Sequence, residues 1–153
     1  MMRPLRTLIR ARTGAAALET AIILPIVAGI IMATLDFSNG WLTRLRLEQA
    51  AQRGIELVAA RKGVATSYDY ARDEMISAWG GAYTSATAES WLECGGTVQA
   101  STTANCAGAQ RARYVKLRIA ATFNPMFNWG ILYDGPESDG TATLVGDAVV
   151  RVQ

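Results

Sequence analysis

The chain has 153 residues, with 15 Lys+Arg against 13 Asp+Glu, no His and a formal net charge of +2. That length suits one domain, and the lack of His removes His general bases, His-containing triads and His-ligated metal sites. Half of the residues are hydrophobic and 18% are charged, where soluble proteins average about 25% charged, which argues against disorder and directs attention to a membrane segment.

The charge is uneven. Residues 1–14 carry Arg3, Arg6, Arg10 and Arg12 and no acid, so the remainder holds 11 basic and 13 acidic side chains. The pI of about 8.7 therefore describes the leader more than the other residues. Residues 15–35 contain a single charge, Glu19, and residues 20–35 form an uncharged run of 16. As helix that run spans about 24 Å at 1.5 Å per residue. Including residues 15–18 brings it to the ~20 residues that a bilayer core requires. The arginines on the amino side put that end in the cytoplasm and the bulk of the chain across the membrane.

Three readings compete for this segment. A secretory signal peptide needs small residues at its exit, and Met32-Ala33-Thr34-Leu35-Asp36-Phe37 matches that poorly. A plain signal anchor leaves Glu19 unexplained, since a carboxylate inside hydrocarbon costs about 2.5–3.5 kcal/mol on insertion scales. The third reading places cleavage before the apolar stretch, because Glu19 is the fifth residue after Gly14. A short basic leader, a Gly and an apolar helix with Glu at its fifth position resemble the type IV prepilin processing site. The resemblance implies cutting between Gly14 and Ala15 by an inner-membrane prepilin peptidase. It also implies pairing of Glu19 with the new amino terminus of a neighbouring subunit, which suits the rule that a buried carboxylate must be paired.

Read through to Trp41, the segment GAAALETAIILPIVAGIIMATLDFSNGW resembles the amino terminus of TadE-like minor pilins, the pseudopilins of tight adherence (Flp) type IV pilus systems. The corresponding residues are Gly14 to Glu19, Leu24-Pro25 and Asp36-Phe37, with Thr20 where an aromatic is usual. Pro25 lies inside the expected helix, a position tolerated in membranes, where it either softens the helix or simply fits between neighbours.

Ser38-Asn39-Gly40 are residues that often end helices. The next segment nevertheless keeps helical spacing through Leu42, Leu45, Leu47, Ala50, Ala51, Ile55 and Val58. The expectation is a nearly continuous spine helix that leaves the membrane near Asp36, turns amphipathic and ends at Lys62-Gly63. Ser67 then caps a second helix over residues 68–79, with Tyr68, Ala71, Met75 and Trp79 on one core face and Gly80-Gly81 as the stop. Residues 82–110 are rich in Ala, Ser, Thr and Gly and read as loop, with at most a short element over 89–94. Cys94 and Cys106, the only cysteines, lie on the oxidising side and favour a disulfide closing a surface loop. Two thiols without His fall short of a zinc site.

The last third alternates. Residues 113–123 put Val115, Leu117, Ile119, Ala121 and Phe123 on one face, and residues 141–152 put Leu144, Ala148, Val150 and Val152 on one face. Turn formers at Asn124-Pro125, Asp134-Gly135-Pro136 and Asp139-Gly140 separate them. Phe123-Asn124-Pro125 and Val150-Arg151 also resemble the TadE-like carboxyl end, more weakly than the amino end does. Arg111, Arg113, Lys116 and Arg118 raise phosphate contacts as an alternative, but alternation sends them to different faces and nucleic acid is not the expected partner.

The expected fold class is α+β and pilin-like: a long amino-terminal membrane and spine helix, then a small head with a second helix and an antiparallel sheet. The division is residues 1–14 as leader, 15–37 as transmembrane and assembly helix, and 38–153 as extracytoplasmic head. No G-x-S-x-G, paired carboxylates or phosphate-binding glycine loop is present, so neither catalysis nor a cofactor is expected. About 115 residues follow Phe37, far more than the short tail of a major Flp pilin, and the resemblance then implies a minor subunit. It implies as partners a second TadE- or TadF-like minor pilin, the major Flp pilin, the prepilin peptidase and the inner-membrane assembly platform. The alternatives are a type II secretion minor pseudopilin and a single-pass anchored periplasmic protein.

Overall fold

The computed structural model describes residues 13–61, 65–127 and 140–153. Helix α1, Thr13–Ala60, runs for 48 residues with Pro25 inside it. Its apolar half is built mainly from Ala, Leu, Ile and Val. The Thr20 and Thr34 hydroxyls donate to the carbonyls of Ala16 and Ile30 one turn back, at 2.9 and 2.8 Å. That internal pairing is what a helix without water around it requires.

The helix passes through Ser38-Asn39-Gly40 without ending there. Gly40 is a packing position: a Cβ on it would lie 3.5 Å from the Phe123 ring, an ordinary contact that brings the strand end against the helix. Beyond it a stripe of Leu47, Ala50, Ala51 and Val58 is buried. Leu42 and Leu45, expected with that stripe, stay exposed because they lie on the opposite side of the turn. Lys62-Gly63 lie outside the described residues.

Helix α2, Asp69–Trp79, buries Ala71 and Met75 against α1 and ends on Gly80 in the left-handed conformation, φ 65°. Its start falls one residue later than expected. The Ser67 hydroxyl accepts the Asp69 N–H at 3.1 Å, one step before the helical turn closes. Tyr68, buried beside Met75, belongs to the core, and the Trp79 indole N–H donates to the Ala82 carbonyl at 3.0 Å.

Four antiparallel strands complete the head: β1 Ser85–Cys94, β2 Thr97–Val98, β3 Arg111–Phe123 and β4 Ala142–Arg151, in the order β2-β1-β3-β4. Strand β1 corrects the expectation of a loop over 82–110. Ala86 and Ala88 pair with Ile119 and Leu117, and Leu92 pairs with Arg113, so β1 does alternate. The alternation is carried by alanines, whose side chains are too small to announce a buried face, and only Leu92 is fully buried. On the outer face Trp91 stacks on its cross-strand partner Tyr114, with centroids 5.4 Å apart.

Val115, Leu117, Ile119 and Ala121 of β3 point inward, flanked by Leu144, Ala148 and Val150 of β4. They form one core with the α1 stripe and with Tyr68, Ala71 and Met75. Two glycines set how closely these layers meet. A Cβ on Gly146, opposite Ile119, would lie 2.5 Å from the Leu47 carbonyl oxygen, and one on Gly54 would lie 2.6 Å from the Ala71 carbonyl oxygen.

Candidate functional site

The amino half of α1 stands clear of the head. Over its most apolar 18-residue window the mean hydropathy is 2.2 and none of it is buried, within a candidate span of Ala16–Ala60. Gly14, Ala15 and Glu19 lie in the first turns of this helix, and Glu19 is exposed. Thr20, Ile23, Leu24, Val27, Ala28 and Ile31 line a shallow apolar depression on one face of the helix. Its small members, Thr20 and Ala28, let another helix approach closely.

At the end of the uncharged run the character changes at one residue. Asp36 is buried, at 4% exposure. Its two carboxylate oxygens accept the backbone N–H groups of Met126, at 2.7 Å, and Phe127, at 3.0 Å. The stripe of α1 that faces the head begins here, because Asp36, Gly40 and Leu47 succeed one another at helical spacing. Hydrogen bonds to an ionised acceptor are about twice as strong as neutral ones. The carboxylate thus joins the first head-facing turn of α1 to the chain that leaves β3. Sequence reasoning places Asp36 at the membrane exit and in the acid-Phe pair but misses this role. The available signal is an acid on the head-facing stripe, where an apolar residue would otherwise stand. The next residue, Phe37, stacks on Trp41 with centroids 6.4 Å apart, and both rings are exposed.

Cys94 and Cys106 lie at disulfide distance, Sγ–Sγ 1.95 Å and Cα–Cα 5.2 Å. Beneath the segment they close, Arg113 is buried on the inward face of β3, and its guanidinium donates to the Thr102 carbonyl. The basic residues of β3 therefore separate. Arg113 points inward, Lys116 pairs with Asp147 at 3.1 Å, and Arg111 and Arg118 are exposed. On α2 the Arg72 guanidinium donates to the Asp73 carboxylate at 3.1 Å, which raises the pKa of Arg72 above the usual arginine value and only reinforces a charge already present. Among the described residues no group of three or more Cys, Asp or Glu could hold a metal ion.

A bare apolar helix joined to a small antiparallel head defines an α+β, pilin-like protein, and that single helix fits a single-pass membrane anchor. The family model described as TadE-like protein matches residues 14–55, from the glycine at the start of α1 to the turn after Gly54. The match is consistent with a TadE-like protein of the tight adherence system, a structural and non-enzymatic kind associated with the components of that pilus. No curated protein and no solved structure matches the chain.

Proposed function

We propose that this protein is a minor pilin of a tight adherence (Flp) type IV pilus, acting in the priming, assembly or tip of the filament. A prepilin peptidase would remove residues 1–14, leaving Ala15 as the new amino terminus at the cytoplasmic face. Residues 15–37 would hold the chain in the inner membrane until assembly, with residues 38–153 in the periplasm and then at the cell surface. The observation that carries this reading is the bare apolar helix whose one carboxylate, Glu19, stands five residues after Gly14. An exposed carboxylate on an apolar helix is costly in hydrocarbon unless a cation meets it. The new amino group of a neighbouring subunit would supply that cation, while the depression around Ala28 would receive the neighbour's helix. The partners are then a second TadE- or TadF-like minor pilin, the major Flp pilin and the assembly platform.

The test is the intact mass of the protein from its native membrane, with co-purification of other pilins before and after Glu19→Ala. A chain beginning at Ala15, associated with pilins through Glu19, supports the reading. A retained leader and indifference to the substitution would return the protein to a plain anchor.

A further inference from the structure

We infer that the membrane-facing end of the head is itself a lipid-binding surface, in which Phe37, Trp41 and Met126 lie in the headgroup layer and Asp36 holds the Met126 segment there. The inference rests on the reading that the apolar half of α1 spans the bilayer.

The three side chains come from two distant parts of the chain and meet at one level. Phe37 lies just past the uncharged run and is 75% exposed, and Trp41 stacks on it. Met126 is 77% exposed, yet its backbone N–H lies 2.7 Å from the Asp36 carboxylate. A flexible apolar side chain is thus fixed beside the point where α1 leaves hydrocarbon. Residues 16–35 supply 20 residues, about 30 Å of helix, which matches the hydrocarbon core. The headgroup layer on each side is roughly 5–7.5 Å deep, and Trp41, five residues or about 7.5 Å past Asp36, stands at its outer edge. Phe37 and the Met126 segment at Asp36 lie deeper in that layer, where amphipathic aromatic rings are favoured.

Continuity with the span selects lipid over a protein partner, since the patch begins where the apolar helix ends. Apolar burial carries the contact, because the first cation of α1 past the apolar run, Arg44, already pairs with Glu48 at 3.2 Å. The distal end of the head differs in placement. Strand β3 rises from Phe123, against Gly40, to Arg111, which pairs with Cys94, so Val98 on the adjoining β2 stands far from the membrane.

The experiment uses the full chain in phosphatidylcholine vesicles, with a nitroxide on Met126→Cys, Val98→Cys or Val27→Cys. Oxygen and a water-soluble nickel chelate serve as the relaxing agents. The expected ratio of oxygen to nickel collisions is highest at 27, lowest at 98, and several-fold above the aqueous value at 126. In the Met126→Cys background Asp36→Asn is expected to move the label toward the aqueous ratio and to leave position 27 unchanged. A label at 126 as nickel-accessible as that at 98, with 27 still in hydrocarbon, overturns the inference and leaves the span intact. An aqueous label at 27 removes the span and the inference with it. A label at 126 that stays in the headgroup layer despite Asp36→Asn overturns the role of the carboxylate.

Discussion

Replacing Gly146 with alanine places a methyl group 2.5 Å from the carbonyl oxygen of Leu47 and the amide nitrogen of Glu48. Both atoms belong to the backbone of α1, so relief requires β4 or the helix to move by about 1 Å rather than a side chain to rotate. Alanine is intrinsically preferred over glycine within a strand by about 0.5–1 kcal/mol, whereas overpacking a closed core costs about 1–3 kcal/mol. The clash is with backbone on a rigid element, so the upper part of that range applies and the net loss is about 1–2 kcal/mol. For a head of this size that lowers Tm by roughly 3–10 °C. The assay is thermal unfolding of the full chain in detergent, monitored by near-ultraviolet circular dichroism. Gly40→Ala is the control, because its new methyl group meets the Phe123 ring at an ordinary 3.5 Å and gains helix propensity. A Gly146→Ala protein as stable as the wild type would refute the close approach of sheet and helix at this point.

Asp36→Ala strands two backbone donors, and at about 1.5–3 kcal/mol per hydrogen bond to a charged group it should lower head stability by about 3–5 kcal/mol in urea unfolding, with Asp36→Asn recovering roughly half. Equal stability of all three would mean that water replaces the carboxylate freely. Changing Cys94 and Cys106 together to Ser opens a loop with a sequence separation of 12, and loop-closure entropy puts the loss near 3 kcal/mol. Reduction of the native chain should shift the urea midpoint equally, and a midpoint insensitive to reductant would show that the bridge is absent. Lys116 and Asp147 are half-exposed at 3.1 Å, so a double-mutant cycle should find a coupling of about 0.2–1 kcal/mol that fades in molar salt. A coupling that survives salt unchanged would contradict that assignment.

The parts of this molecule legible in its sequence are those where side-chain size tracks environment. The apolar run, the acid at Glu19, the second helix and the alternating Val, Leu and Ile of β3 all announce themselves by bulk or charge. Strand β1 does not, since its inward positions include Ala86 and Ala88, and alanine favours helices and is depleted in strands. Ser38-Asn39-Gly40 misleads in the opposite direction, because the residues that end helices also allow close packing, and only the Phe123 ring decides between the two uses. The Asp36 clamp is illegible for a further reason. Its partners are backbone amides 90 and 91 positions away, and amides leave no trace in a sequence. Gly54 and Gly146 give no signal either, because an absent side chain records nothing about what stands beside it.

The unbroken course of α1 through its junction has a mechanical consequence. A helix of 48 residues is about 72 Å long, and the head is packed onto its distal half with no hinge between head and anchor. Transmembrane helices commonly tilt by about 20° from the bilayer normal. Ala51, in the head core, lies 15 residues past Asp36, about 22 Å along the axis, so such a tilt swings it sideways by about 8 Å. The molecule therefore behaves as a stiff lever. With the apolar half in a bilayer, as proposed, torque applied to the head would reach the membrane surface through the helical hydrogen bonds between Ala51 and Asp36, and a reorientation of the anchor would be delivered, enlarged, at the far tip of the sheet.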